Sequence, residues 1–245
     1  MTLLAVIGCG PADVASDSRS ELTLQSKDGT NISATLTIAA GTPSPGLILV
    51  HMYGSDRTAW ESFAVQAQRE GYSVISIDMR GHADTATLNP NAKKYRSFSA
   101  TDWKDVLLDI DAAKSMLIEN GVDEDRIGVM GASIGANLAA AYAAHHQDIQ
   151  ALVMLSPGKD YKGVRVEPAF AQYGKRPSLL VTGEGDRYSA DTCRSLHREA
   201  KGFCEFREFP GIYHGTNILD AIPNASGQIL QWCNTVLRES SPAQP

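Results

Sequence analysis

Gly131-Ala132-Ser133-Ile134-Gly135 lies between an apolar run and a helix-forming run, and this order decides the fold. Upstream, Arg126-Ile127-Gly128-Val129-Met130 reads as a short buried strand. Downstream, Asn137-Leu138-Ala139-Ala140-Ala141-Tyr142-Ala143-Ala144 has the composition of a buried helix. A serine at a tight strand-to-helix turn is expected to be strained, with its hydroxyl raised above the sheet. Small neighbours let the turn close and a reactant approach. The backbone N–H of Ile134, at the helix N-terminus, would face negative charge developing there. A serine that merely caps the helix is the alternative. The order strand, elbow, helix favours a nucleophile.

A nucleophilic serine needs a base and an orienting acid. Ser178-Leu179-Leu180-Val181-Thr182-Gly183 reads as another buried strand, and Glu184 and Asp186 lie just past it. Cys204-Glu205-Phe206-Arg207-Glu208-Phe209-Pro210 alternates as a more exposed strand would, and Gly211-Ile212-Tyr213-His214-Gly215 then sets a histidine in a glycine-flanked loop. Asp160, after the apolar run Ala151–Leu155, is a further candidate acid.

The chain order of serine, acid and histidine, together with the elbow and the late His-Gly, resembles the α/β-hydrolase superfamily over nearly everything after about Ser20. The resemblance implies an α/β fold with a mostly parallel eight-stranded sheet flanked by helices. It implies Ser133 as nucleophile, His214 as base and then acid, and Asp186 as the acid that holds the imidazole, in preference to Glu184 and Asp160. Within the superfamily the chain looks most like small capless serine esterases and the dienelactone hydrolase-like group. That group often carries a cysteine nucleophile where this chain has Ser133. A haloalkane dehalogenase would need a carboxylate at that position.

Relatives follow their first central strand with His-Gly, any residue, and Gly. Here Gly46–Val50 is followed by His51-Met52-Tyr53-Gly54-Ser55, with Met52 in the usual glycine position. The resemblance carries the second oxyanion donor to the backbone N–H of Tyr53, as partner of Ile134. The Tyr53 ring reads equally as acyl-pocket wall or packed aromatic. Asp78-Met79-Arg80-Gly81-His82 is similar to the family's Asp-x-Arg-Gly-His stretch, so His82, like His51, is expected to be structural.

Around these motifs, Lys27-Asp28-Gly29-Thr30 marks an antiparallel hairpin, Leu22–Ser26 with Asn31–Ile38, at the sheet edge. Helices are expected over Arg57–Glu70, Thr101–Glu119 and Asn224–Leu237, a strand over Ser73–Ile77, and a polar surface loop over Ala83–Ser99. Only Ser156–Pro177 separates the strand ending at Leu155 from the next. Caps are commonly inserted there in this superfamily, so none is expected. An open cleft suits a small-molecule or polymer-borne ester. Peptides and thioesters share the same acyl-transfer chemistry, and a non-catalytic binding lipoprotein is the alternative from another class.

The 245 residues, 43% hydrophobic and 20% charged, fit one globular catalytic domain, read as residues 21–240. A net charge of −6 without a Lys/Arg cluster, the densest basic run being Lys93-Lys94-Tyr95-Arg96, argues against nucleic acid as partner. No metal or organic cofactor is expected, and the domain is expected to act as a monomer.

Residues 1–20 read as a signal and lipoprotein tether. Val6-Ile7-Gly8-Cys9 fits a bacterial lipobox, so Cys9 is the expected lipidation site and would attach the domain to the cell envelope. A positive leading segment is missing. Either the chain begins inside a longer signal or the match is accidental, in which case a cytoplasmic location follows. Cys193, Cys204 and Cys233 remain. A Cys204–Cys233 bridge reads as more feasible than Cys193–Cys204, with three free thiols as the other reading.

Overall fold

A computed structural model describes residues 19–238. Cys9 and the rest of the N-terminal tether segment up to residue 18 lie outside the described residues. In chain order the first strands are β1 (Arg19–Gln25), β2 (Asn31–Thr37) and β3 (Ser44–Val50), followed by α1 (Glu61–Arg69), β4 (Ser73–Ile77) and α2 (Ala83–Leu88). Then come α3 (Ala100–Lys104), α4 (Val106–Glu119), β5 (Val122–Ala132), α5 (Ile134–His145) and β6 (Ile149–Leu155). The chain continues through the two-residue strands β7 (Asp160–Tyr161) and β8 (Val164–Arg165), α6 (Val166–Tyr173), β9 (Ser178–Gly183) and α7 (Arg187–Glu199). It ends with β10 (Cys204–Phe209), α8 (Asn217–Ala221) and α9 (Ala225–Leu237).

Eight strands form one sheet in the order β1-β2-β4-β3-β5-β6-β9-β10. β1 pairs antiparallel with β2, and β2 antiparallel with β4; from β4 onward every pairing is parallel. The α/β fold class expected from the sequence is the one observed.

Side-chain alternation divides the core in two. Ile48, Val50, Val129, Leu152, Met154 and Leu180 point to the face covered by α4 and α5, with Trp103, Ile110, Leu138 and Tyr142. Their neighbours Leu47, Leu49, Met130, Val153, Leu179 and Val181 point to the other, covered by α1 and α9, with Phe63, Ile229, Leu230 and Trp232. Strands buried on both faces read as unbroken apolar runs, which is why Leu47–Val50 and Leu152–Leu155 announce a central parallel sheet. Each such buried Leu, Ile or Val stabilises the fold by about 1.5–3 kcal/mol.

Three expectations need correction. Ala83–Ser99 is not simply a loop: it holds α2 and a turn of 3-10 helix at Tyr95–Ser97. Tertiary hydrogen bonds make the helix, since the Thr85 hydroxyl donates to the Asp78 carbonyl (2.8 Å) and accepts from the Ser33 N–H (2.8 Å). The helix expected from Thr101 to Glu119 breaks at Asp105, with α3 started by a capping box between Ser99 and Asp102. The Cys204–Cys233 bridge is absent; Cys193, Cys204 and Cys233 are free thiols. Cys204 packs with Cys193 against the α4/α5 face, whereas Cys233 lies in the core of the opposite face, so the sheet stands between them.

The helix α5 enters the sheet at very close range. A Cβ on Gly131 would stand 2.0 Å from the Gly135 carbonyl oxygen, and one on Gly135 would stand 2.4 Å from the carbonyl oxygens of both Val50 and His51. No side chain fits at either place, and every atom met is backbone. Gly135→Ala is therefore expected to destabilise by about 3 kcal/mol or more, read as a lowered urea midpoint at unchanged slope.

Candidate active site

The close approach at the elbow holds Ser133 in a conformation serine rarely adopts, φ 56° and ψ −121°. Such a backbone costs about 1–3 kcal/mol and survives only where its surroundings enforce it. Here the Ser133 N–H donates to the Leu155 carbonyl at 2.8 Å, and its own carbonyl accepts from Ala136 at 2.9 Å. Its side chain makes no helix-capping bond, so the capping alternative does not apply.

Two further loops meet at the same edge of the sheet. The His214 Nδ1 lies 2.6 Å from Asp186 Oδ2. Backbone bonds tie the two loops together: Glu184 N–H donates to the Phe209 carbonyl (2.8 Å) and Gly185 N–H to the Gly211 carbonyl (2.9 Å). Glu184 is exposed, and Asp160 is spent on the turn at Gly163, whose N–H it accepts at 2.7 Å. Of the three carboxylates weighed from the sequence, Asp186 is the one that reaches His214. Burial alone would raise the Asp186 pKa. Hydrogen bonds from His214 and Ser189, the attraction of His214 and a hydrogen bond from Ser156 more than offset it, so the pKa falls below the usual carboxylate value.

Ser156, Ser189 and Tyr161 carried no signal in the sequence. Ser156 is fully buried with φ 51°, and its hydroxyl accepts from the Gly215 N–H at 2.9 Å, fixing the loop one residue past His214. The Tyr161 hydroxyl lies 3.3 Å from Ser189 Oγ and interacts with the Ser133 side chain, while its ring stands edge-on to His214 at 6.3 Å. The tyrosine thus spans the serine and the histidine. The Lys162-Gly163 turn that delivers it could have been read as a hairpin.

The loop after β3 packs its first backbone carbonyls, those of Val50 and His51, against α5 at Gly135. His51 braces it: its Nε2 accepts from the Met79 N–H (3.1 Å), so Nδ1 carries the proton given to the Met52 carbonyl (2.8 Å). The Tyr53 ring is both half-open to solvent and packed, edge-on to Tyr95 at 4.9 Å with the Lys162 ammonium 4.9 Å above it. His82 stacks on Tyr95 at 4.0 Å and bonds the Arg80 carbonyl through Nδ1. Both histidines are structural, as expected. Among the described residues no cluster could hold a metal ion, and no helix is long and apolar enough to cross a membrane.

This sheet, with a serine elbow after its central strand and an acid and a histidine after its last two strands, is that of an α/β-hydrolase. The family model for serine aminopeptidase, S33, matches residues 41–173, more than half of the chain, and the chain belongs to that family. No curated protein matches. Among solved structures the chain is similar to DcsB in complex with its substrate analogue, at TM-score 0.73 and 14% identity, over 90% of this chain and 99% of that one. A dienelactone hydrolase from Anabaena variabilis matches at 0.70 and 20%, over 90% and 100%. A Pyrococcus furiosus esterase matches at 0.69 and 18%, over 95% and 98%. Identities this low establish the fold. With the family, they make the protein a hydrolase of the α/β fold.

Burial depresses the pKa of His51 to about 3, with repulsion from His82 adding to it, and burial depresses His82 to about 4. Both rings are neutral in the fold, whereas the unfolded chain protonates them below 6.5. Their contribution to stability is therefore complete above that pH and is lost as the pH falls below it. His82→Phe keeps the stacking on Tyr95. Between about pH 7.5 and 5.5 its unfolding free energy, from urea melts, should fall by about 1.4 kcal/mol less than that of the wild type.

Proposed function

We propose that the protein is a serine esterase that cleaves carboxylic esters through an acyl-enzyme. The observation that carries this reading is the strained Ser133 at the same edge of the sheet as an imidazole already oriented by a carboxylate, with Gly215 after that histidine packed on Ala132 before the serine. Serine alone is a weak nucleophile at neutral pH. In the proposed cycle Ser133 Oγ attacks the acyl carbon as its proton passes to His214 Nε2. The carbonyl oxygen becomes an anion held by the N–H groups of Tyr53 and Ile134, each such donor contributing about 3–4 kcal/mol to the transition state. Collapse expels the alcohol, which takes the proton back from His214. Water then repeats the sequence and frees the acid. Asp186 keeps the Nδ1 proton in place and offsets the imidazolium charge without accepting a proton.

Between β6 and β9 the chain has room only for the β7–β8 hairpin and α6, so no helical cap is inserted there. That openness favours short-chain or polymer-borne esters over single long acyl chains, which need an enclosed apolar channel. The family description favours a second reading, an aminopeptidase using the same triad. That activity would need a carboxylate at the mouth for the substrate amine.

The reading is tested with p-nitrophenyl esters of graded length and aminoacyl p-nitroanilides. Acetate and butyrate esters should be cleaved fastest; anilide turnover exceeding ester turnover would select the aminopeptidase. Ser133→Ala should lose about 10⁵-fold or more in kcat and all labelling by a fluorophosphonate, and Asp186→Asn about 10³–10⁴-fold in kcat. Because Asp186 is held below its usual pKa, it stays ionised above about pH 4, and the acid limb of kcat/KM should have unit slope down to there. A limb of slope two would show a second group titrating.

A further inference from the structure

The eight residues after Ser156 serve to hold one phenol. β7 and β8 pair Tyr161 with Val164, and the turn between them, Lys162 and Gly163, has φ 58° and 85°, as a type I′ turn requires. The Tyr188 hydroxyl clamps the residue before the phenol, accepting from the Asp160 N–H (2.9 Å) and donating to the Asp160 carbonyl (3.1 Å). Gly158 leaves the space the ring needs, since a Cβ there would stand 2.5 Å from both the Tyr161 and Tyr188 rings.

The hairpin is also fastened to the nucleophile's own helix. Asn137, wholly buried one turn after Ser133 in α5, donates through Nδ2 to the carbonyls of Gly158 (2.8 Å) and Val164 (2.7 Å). Its Oδ1 accepts from the Gly158 N–H at 3.2 Å. Phenol and serine are therefore mounted on one rigid piece. A buried amide satisfied on both sides is costly to disturb.

The hydroxyl so positioned is not committed to a strong partner. Besides Ser133 its neighbours are the Ser156 carbonyl at 3.5 Å and Ser189 Oγ at 3.3 Å, both longer than the roughly 2.7–2.8 Å of a good O–H···O bond. Burial keeps the phenol protonated, its pKa lying above the usual tyrosine value despite hydrogen bonds from Ser189 and Ser133. A donor whose present hydrogen bonds are long gains most from an acceptor that becomes anionic, where the bond is about twice as strong. We propose that Tyr161 is a further catalytic residue, its hydroxyl donating a hydrogen bond to an oxygen of the tetrahedral intermediate formed on Ser133. No proton is transferred; the bond strengthens as charge moves onto the oxygen and is lost when the intermediate collapses.

The proposal rests on Ser133 acting as nucleophile, and the experiment separates the two. Tyr161→Phe retains the ring and its packing and removes only the donor. Wild type and variant are compared on p-nitrophenyl butyrate and for inhibition by phenylboronic acid, which forms a tetrahedral adduct with a serine. Boronate affinity is read from protection against fluorophosphonate labelling, so it needs no ester turnover. The expected result is a fall of about tenfold in kcat, a change of less than twofold in KM, and boronate binding weakened by the same tenfold, at an unchanged melting temperature. A kcat and a boronate affinity both within twofold of wild type would overturn the proposal. So would a raised KM at unchanged kcat, which reports ground-state binding alone. If the wild type cleaves no ester but boronate still protects Ser133 and does so tenfold less well in Tyr161→Phe, the ester reading falls and the role of Tyr161 stands.

Discussion

The contact between Gly135 and the carbonyls of Val50 and His51 is the constraint on which the rest of the site depends. It joins the first turn of α5 to the end of β3 with no side chain between them. Backbone packed on backbone cannot relax by rotamer change, so the turn has little room to move. Ser133 then has no option but positive φ, and the strain is offset by the core on both faces of β5. The same contact seats the start of the loop that carries Tyr53 on the first turn of α5.

Much of this was legible in the sequence because it is encoded locally. The glycines of the elbow, the doubly apolar strands and the glycine-flanked His214 each announce a geometry through residue type alone. What was not legible depends on partners distant in the chain. Thr85 makes a helix of a polar stretch by bonding Asp78 and Ser33, a fact no window around Ala83 contains. Cys204 and Cys233 read as a feasible pair along the chain, while the face each one points to decides that they stay apart. Tyr161 escaped notice because Ser156–Pro177 was read for a cap it is too short to build. The segment instead uses its length to form a hairpin bound to Asn137.

Charge is used structurally in the layer beneath the site. Arg80 bonds Asp109 through its backbone N–H (2.9 Å), Nε (3.0 Å) and Nη2 (2.7 Å), and bonds Asp28 through Nη1 (2.7 Å). Arg57 likewise meets buried Asp78 through its backbone N–H (2.7 Å) and Nη1 (2.5 Å). Desolvation offsets most of the attraction in such pairs, so they add little net stability and are better understood as fixing position. Burial pushes the Asp109 carboxyl up to about 6 while the Arg80 donors oppose it, and the pair is ionised at neutral pH.

The Arg80–Asp109 pair reaches the loop after β3 through a short chain of contacts. Asp109 on α4 holds Arg80, and the adjoining Met79 presents its N–H to His51 Nε2. The other nitrogen of that ring holds the Met52 carbonyl, so the peptide leading into Tyr53 is oriented from below. Relatives close this loop with a glycine after the histidine. Here Met52 takes that place, its sulfur 3.9 Å from the Thr216 hydroxyl and its side chain against Gly215, next to His214. A residue that departs from the family pattern thereby links the loop after β3 to the histidine loop. In the proposed esterase, fixing both before substrate arrives lets hydrogen-bond donors stabilise developing charge without reorganising.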